Sequence, residues 1–256
     1  MRGAFAFLKK EFLSQLRSGK LLILILVAML FGVMSPGIAK LTPWMYEMLS
    51  DSLAQSGISV IPTEVTALDC WMQFFKNISL ALIVFVLLES EIFAKEYSSG
   101  TLIMVLTKGL SRRTVVLVKS LVLAVLWSLF YWLIYGISFG YSAFFWDNSV
   151  VKNLGFSVFC WWVFGLTVVL VMILFSVLCR GNGSVLLCTG GAAAISYALG
   201  LFPKISRFVP TLLMDGASLI YGKAEASYYH PAIIISLAAG CVCFLLGIVF
   251  FGKKQL

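Results

Sequence analysis

Charged side chains are scarce in this 256-residue sequence, where Asp, Glu, Lys and Arg together make up 12%. An ordinary soluble domain carries about 25%. Hydrophobic residues make up 61% of the chain, and the mean hydropathy is +1.01. Apolar runs of about 18 residues or more are typical of membrane-spanning helices. The composition therefore excludes a soluble globular domain and predicts an all-α polytopic membrane protein.

Residue types that perform catalysis are also scarce. The single histidine, His230, precedes Pro231 at the mouth of the last apolar run and is best interpreted as an interfacial residue. No phosphate-binding loop, zinc-protease motif or serine-hydrolase motif occurs. The six cysteines are scattered, mostly within apolar runs, and do not form a metal-ligand pattern. We therefore predict no catalytic, cofactor or metal site on this chain.

Six apolar runs are long enough to cross a bilayer, and we predict one transmembrane domain over residues 1–256. The predicted spans are residues 21–39, 71–93, 114–140, 154–179, 185–202 and 231–251. A polar outer loop at 40–70, with an amphipathic helix near 44–53, would follow the first span. A second long outer segment at 203–230 would precede the last span.

Residues 1–20 have the pattern of a helix that lies in the plane of the membrane surface. The apolar face of this helix would carry Phe5, Leu8, Phe12 and Leu16. The opposite, polar side would carry Lys10, Glu11, Ser14 and Arg17. An ordinary polar overhang is the alternative interpretation.

Basic residues gather at one end of the predicted spans. Thirteen of the 19 Lys and Arg residues lie there, whereas 7 of the 11 acids lie at the other end. Basic loops mark the cytoplasmic side of a membrane protein. We therefore predict a plasma-membrane protein with both termini in the cytoplasm. The net charge of +8 then reflects contact with membrane lipid, and we predict no nucleic-acid partner.

The densest charge cluster lies at residues 89–119, between the second and third spans. Ser98, Ser99 and Gly100 can break the entering helix, Gly109 can end the short apolar segment that follows, and Ser111 can cap the next span. This pattern predicts a short surface helix at about 97–110, which suits docking onto a soluble partner.

Three ionisable residues near this end are predicted to form an intramembrane charge network: Glu89, Glu91 and Lys119. A charge inside a bilayer is costly and usually has a partner. The partner predicted for Glu89 is Arg112, Arg113 or Lys119.

The same stretch resembles a known family. Its residues stand in the order Glu89…Glu96-x-x-x-Gly100-Thr101-Leu102…Leu106…Ser111-Arg112…Lys119. This order resembles the coupling-helix region of type-2 ABC exporter permeases, in which a Gly-Thr pair opens a short cytoplasmic helix and a Ser-Arg pair and a Lys follow. The in-plane helix, six spans and long outer segment match the family's layout. Many members have Pro just before the Ser-Arg pair, where this chain has Gly109-Leu110.

The resemblance implies a permease that works with two cytoplasmic ATPase subunits and a second copy of itself. ATP and Mg²⁺ would bind to the ATPase subunits, so this chain would not be an enzyme by itself. The residues implied in coupling to the ATPase are Glu96, Gly100, Thr101, Leu102, Leu106, Ser111 and Arg112. Members of the family export drugs, lipids, polysaccharides, peptides or ions.

Two further sets of residues are candidates for the cargo path and the dimer contact. Trp127, Tyr131 and Tyr135 share one side of the third span and could line a path, or form an aromatic belt or fill gaps between helices. Small residues at four-residue spacing in the fifth span favour close helix packing, either between two copies or within one chain. These candidate seam residues are Gly190, Ala194 and Ala198.

We predict an amphipathic or hydrophobic cargo, with a membrane-active peptide as the first choice. Small drugs, lipids or sodium ions are the alternatives. A membrane-embedded enzyme would need a cluster of catalytic polar groups, and a self-powered carrier would favour ionisable groups near mid-membrane. A neighbouring gene for an ATPase with a phosphate-binding loop would separate these hypotheses.

Overall fold

The computed structural model describes residues 2–55, 65–107 and 109–254. Throughout these residues the regular secondary structure is helical, and none of them forms a strand. Six of the helices are long and apolar enough to cross a membrane. The predicted all-α architecture with six spans is confirmed, and the chain is a multi-pass membrane protein.

Ten α-helices follow one another along the described residues. They are α1 (Arg2–Arg17), α2 (Lys20–Gln55), α3 (Ala67–Glu89), α4 (Glu91–Ser99), α5 (Thr101–Thr107), α6 (Arg112–Phe145), α7 (Leu154–Leu178), α8 (Asn182–Gly200), α9 (Gly216–Ile220) and α10 (His230–Lys253). Spans are provided by α2, by α3 with α4, and by α6, α7, α8 and α10.

Helix α2 continues well past the predicted end of the first span at residue 39. It has 36 residues, and at 1.5 Å per residue it is longer than the hydrocarbon core of about 30 Å. The amphipathic helix expected near 44–53 is therefore the continuation of α2. Pro36 and Pro43 lie inside this helix. A membrane helix tolerates proline where the backbone groups that lose their hydrogen bonds find other partners. Part of the predicted outer loop, residues 56–64, lies outside the described residues.

The stretch between the second and third spans has the predicted order of helix, short helix and helix. Helix α4 ends at Gly100, whose φ of 64° is left-handed, and α5 follows directly. Gly109 has a φ of 87°, which an L side chain rarely adopts. Ser111 then caps α6 by accepting a hydrogen bond from the Thr114 amide at 3.2 Å. The short helix is thus shorter than the predicted range of 97–110 and covers Thr101–Thr107.

The segment before the last span covers one end of α7. Trp161 donates its indole N–H to the Met214 carbonyl at 2.8 Å, and Tyr229 donates its hydroxyl to the Asp215 carbonyl at 3.2 Å. The Lys152 amide, in the preceding turn, donates to the Ile220 carbonyl at 3.2 Å. These bonds fix short turns and α9 against the span ends.

Helix α7 packs against α6 through an aromatic side chain and a glycine. Trp127 is fully buried and donates its indole N–H to the Trp162 carbonyl at 3.2 Å. A Cβ atom added to Gly165 would lie 2.0 Å from the Trp127 ring. Only a residue without a side chain fits there, because a buried indole in a close-packed core has no room to move aside.

We expect Gly165→Ala to destabilise the bundle by about 1–3 kcal/mol, the usual cost of overpacking a core. Gly155→Ala in the same helix is the matched control, since nothing lies within 4 Å of a Cβ at that position. Thermal unfolding in detergent measures both changes. Equal midpoints for the two variants would show that the Trp127 contact does not limit the packing.

Candidate functional site

The candidate site lies where α1 docks against the ends of α3, α4 and α6. One side of α1 is buried there through Phe7, Glu11 and Gln15, which follow one another at four-residue spacing. Residues four apart share one face of a helix. Helix α1 therefore presents a partly polar stripe to the rest of the protein.

Four charged residues form a closed ring in which ammonium and carboxylate groups alternate. We call Lys10, Glu11, Glu96 and Lys119 the ionic ring. Lys10 lies 2.9 Å from Glu11 Oε1 and 2.8 Å from Glu96 Oε1. Lys119 lies 3.0 Å from the other oxygen of each carboxylate. Each carboxylate thus bridges two cations, and the ring joins α1, α4 and α6 with no net charge.

Lys119 is the most deeply buried member of the ionic ring, with 1% of its surface exposed. Its ammonium has two carboxylate partners in the ring and donates to the Ile92 carbonyl at 3.0 Å. The ammonium donates hydrogen bonds to Glu11 and to that carbonyl, and its contact with Glu96 is an ion pair. A buried charge costs several kcal/mol unless it is paired and hydrogen-bonded, and this one meets both conditions.

Lys10 closes the ring at its more exposed side. Burial by itself would lower the pKa of the Lys10 ammonium. Its hydrogen bonds to Glu96 and Glu11, together with their negative charges, outweigh burial and raise that pKa. Lys10 therefore remains charged over the physiological range, and the ring keeps its alternating charges.

Glu89 is fully buried, but its hydrogen-bond partner differs from the predicted Arg112, Arg113 or Lys119. The Glu89 carboxylate accepts a hydrogen bond from the Gln15 side-chain amide at 2.8 Å. The reason is that α1 inserts its polar stripe at this end and occupies the position next to α3.

The other two members of the predicted charge network also have partners at this end. Glu91 lies 3.8 Å from the Lys20 ammonium at the start of α2, and Lys119 belongs to the ionic ring. The three residues predicted as one network therefore have separate partners: Glu89 bonds to Gln15 of α1, Glu91 faces Lys20 of α2, and Lys119 belongs to the ionic ring.

The polar side of α1 is not simply a face toward water. The predicted apolar residues Phe5, Phe12 and Leu16 are exposed, as expected for a face that meets lipid. Glu11, placed on the opposite polar side by the sequence, is buried by the protein. Helix α1 therefore has a lipid-compatible face and a face that docks by charge.

The residues implied in coupling lie around the short helix α5. Leu102 is buried and Leu106 is half-buried against the apolar core. The Thr101 and Ser99 hydroxyls lie 2.9 Å apart across Gly100. Glu96, one turn before this break, belongs to the ionic ring.

Ser111 and Arg112 lie at the start of α6, after the short helix. Arg112 donates to the Phe251 carbonyl at 3.4 Å and also to the Lys254 carbonyl. These carbonyls close the last turn of α10, so the guanidinium caps that helix. The structure thus brings Arg112 to the end of the last span.

Helix α4 is held from its other side as well. The Tyr97 hydroxyl lies 3.5 Å from the Val177 carbonyl at the end of α7, and the Lys254 ammonium lies 4.3 Å from the centre of the Tyr97 ring. The segment that leads into α5 is therefore fixed both to the ionic ring and to the ends of α7 and α10.

The candidate path residues lie inside the helix bundle. Trp127 and Tyr131 are fully buried, and the Tyr131 hydroxyl donates to the Val158 carbonyl at 2.7 Å. Tyr135 is half-buried and packs against Trp71 with the ring centres 5.7 Å apart. In this arrangement the three side chains contact other helices.

A cavity of about 510 Å³ lies instead between α3, α7 and α8. Gly190 and Ala194, two of the three candidate seam residues, line it, and Ala198 is exposed further along the same helix. Thr189 also lines the cavity; it is 97% buried and its hydroxyl has no hydrogen-bond partner among the described residues. The other lining residues are mostly apolar, such as Leu82 and Phe164.

Several of these functional groups have only weak signals in the sequence. Glu11 and Gln15 are four residues apart, which indicates a shared face but not its partner. Asn77 donates to the Ser35 hydroxyl at 3.0 Å between two spans, and a polar residue inside an apolar run is the signal for such a bond. Nothing in the sequence distinguishes Thr189 from other span hydroxyls.

Comparison with known proteins supports the class of the protein. The chain is 22% identical to the uncharacterized transmembrane protein YxlG of Bacillus subtilis (strain 168), over 98% of this chain and 96% of that protein. No family model matches the chain. The similarity extends over nearly the full length of both chains, so it agrees with the assignment of this chain as a transmembrane protein.

We expect Glu11→Gln and Lys119→Met to be energetically coupled. Lys119→Met removes one of the two cations that the buried Glu11 and Glu96 carboxylates share and should cost about 3–5 kcal/mol. In a double-mutant cycle the two changes should show an interaction energy of about 0.5–3 kcal/mol. Equilibrium unfolding in mixed micelles measures each free energy.

The control cycle pairs Glu11→Gln with Lys76→Met, because Lys76 is exposed on α3. Distant sites add to within about 0.5 kcal/mol. Strict additivity in the Glu11–Lys119 cycle as well would contradict the docking of α1 through the ionic ring.

Proposed function

We propose that this chain is the membrane-spanning subunit of an ATP-driven exporter of the type-2 ABC class. It would pair with a second copy of itself and bind two cytoplasmic ATPase subunits, which carry ATP and Mg²⁺. The observation that carries the proposal is the short helix α5, bounded by Gly100 and Gly109 at the basic end of the bundle. This geometry fits the coupling helix that the sequence resembles.

The docking of α4 supports a mechanical role for α5. A coupling helix must transmit a push from the ATPase into the spans, so the segment behind it has to be held firmly. Glu96 is tied to Lys119 of α6 and to Lys10 of α1, and Tyr97 contacts the end of α7. We infer that a displacement of α5 moves α1, α6 and α7 together.

The charge distribution supports a cytoplasmic position for this end. The ionic ring, Arg112 and Lys254 all lie where α6 begins and α10 ends. Basic residues favour the cytoplasmic side, so we propose that α1, α5 and the end of α10 face the cytoplasm of the cell membrane. An ATPase subunit could reach them there.

The cavity between α3, α7 and α8 supports a role in handling an amphipathic cargo. The residues that line it include no charged side chain among those described, whereas hydroxyls of Ser79, Thr189 and Thr211 lie on its wall. An apolar pocket with a few hydrogen-bonding groups suits a molecule with both characters. We propose this cavity, rather than the buried Trp127 and Tyr131, as the first contact of the cargo.

The same cavity opens beside the small residues of α8. Because Gly190 and Ala194 line it and are exposed, a second copy that packs on this face would enclose the cavity between the two chains. Small residues permit such close approach in a membrane. We therefore propose that α8 forms the dimer contact and borders the cargo path.

Leu106→Asp should reduce binding of the partner ATPase by about tenfold or more, because it places a charge on the short helix that docks the ATPase. Copurification of the coexpressed complex measures this effect. Leu201→Asp is the control for an added charge at a position away from α5, since Leu201 is exposed just beyond α8. Thermal unfolding of the free subunit separates lost docking from lost folding. Undiminished copurification and transport in a folded Leu106→Asp variant would rule out α5 as the docking element.

Gly190→Leu should weaken self-association several-fold, since a leucine side chain would prevent close approach and enter the cavity. Gly191→Leu is its control on the neighbouring face, and a Cβ at either position meets nothing within 4 Å in the single chain. Sedimentation in detergent measures the dimer. ATPase stimulation of the complex by an amphipathic peptide should fall in Gly190→Leu only. If both variants dimerise normally, the seam lies elsewhere.

A further inference from the structure

A second cleft lies at the basic end of the bundle, and its lining residues belong to α6, α10 and the residue before α6. It has a volume of about 700 Å³ and lies between the beginning of α6 and the end of α10. Its lining includes three basic residues, Arg112, Arg113 and Lys253, and no acidic residue. Of the residues implied in coupling, Ser111 and Arg112 also line this cleft, whereas Arg113 and Lys253 have no role in the function proposed above.

The cleft is polar at its mouth and apolar below. On α6, Arg113 precedes Leu117 by four residues, and on α10 Lys253 follows Val249 by four. Since α6 enters the membrane from this end and α10 leaves at it, each apolar residue lies one turn, about 6 Å, deeper than its cation. Leu117 and Val249 are each 50% exposed to the surroundings of the chain. Cations at the mouth and apolar side chains deeper in the cleft match the charged headgroup and the acyl chains of an anionic phospholipid.

The three basic residues of the cleft differ in whether they already have partners within the protein. Arg112 donates to the Phe251 and Lys254 carbonyls and thereby holds the two helix ends at a fixed distance. Arg113 and Lys253 are exposed and form no ion pair with any described residue. The beginning of the 34-residue helix α6 adds the positive end of its dipole. The mouth of the cleft thus has positive charge that no acidic residue in the described part of the chain neutralises.

We propose that this cleft binds an anionic phospholipid from the membrane leaflet at the basic end. The phosphate would lie between Arg113 and Lys253, and one acyl chain would follow Leu117 and Val249. Basic pockets between spans on the cytoplasmic side of a membrane suit anionic headgroups. The bound lipid would bridge α6, which follows the short helix α5, and α10.

The test uses the full-length chain in a neutral detergent, with phosphatidylglycerol as the probe and phosphatidylcholine of the same acyl chains as the comparison. Native mass spectrometry measures retained lipid. The wild type should retain phosphatidylglycerol in clear preference. Each cation removed should weaken retention about fivefold, the factor that corresponds to about 1 kcal/mol per basic residue near a lipid surface. Arg113→Gln/Lys253→Gln should therefore lose roughly 25-fold.

The matched control is Arg17→Gln/Lys9→Gln, which removes the same two charges from exposed positions of α1 at the same end. It should retain phosphatidylglycerol almost as the wild type does. An equal loss in the control would mean diffuse attraction to the basic end and would overturn the site. Equal retention of phosphatidylcholine by the wild type would overturn the role of the phosphate charge.

Two further measurements separate a lipid from a soluble phosphate. Leu117→Ser/Val249→Ser keeps the cations and should still reduce retention of phosphatidylglycerol several-fold. Glycerol phosphate should neither displace the lipid nor raise the thermal midpoint. Displacement by glycerol phosphate, or full retention in the serine variant, would overturn the acyl-chain contact. If the double glutamine variant fails to fold, Lys253→Gln alone should still lose about fivefold.

Discussion

The ionic ring of Lys10, Glu11, Glu96 and Lys119 is the contact on which the basic end of this protein depends. Charge so close to an apolar bundle is tolerated only because every ammonium meets a carboxylate and every carboxylate bridges two cations. The arrangement fixes α1 to the first turns of the bundle. It also fixes α4, which ends at Gly100, directly before the short helix α5.

Much of the fold follows from hydropathy. Six long apolar helices in a chain with few charges could be predicted because backbone groups in lipid have to be satisfied within a helix. The turn chemistry at Gly100, Gly109 and Ser111 predicted the break, the short helix and the cap of α6 at nearly the observed residues. The extension of α2 past residue 39 was missed, because polar residues and Pro43 indicate a loop unless neighbouring contacts are known.

The site could be predicted only in part, since its partners are far apart in sequence. Glu89, Glu96 and Lys119 were recognisable as costly charges near a span end, but the sequence placed Glu11 on a water-facing side. In the structure α1 packs against the bundle, and Glu11 therefore accepts a hydrogen bond from Lys119, which lies 108 residues further along the sequence. Periodicity identifies which residues share a face, whereas the choice of neighbour depends on how helices pack.

Because charged residues rather than apolar ones join α1 to the bundle, the position of α1 along its own axis is restricted. Apolar side chains could hold the helix with similar energy, yet they would permit it to shift along its groove, because dispersion contacts are not directional. An alternating ring favours one register, since a shift of α1 by four residues would place Phe7 or Gln15 opposite Lys119 and leave its ammonium without the Glu11 carboxylate. The opposite face of α1 has Phe5 and Phe12 exposed, as suits contact with lipid. The same helix therefore meets lipid on one side and is held in register by charge on the other.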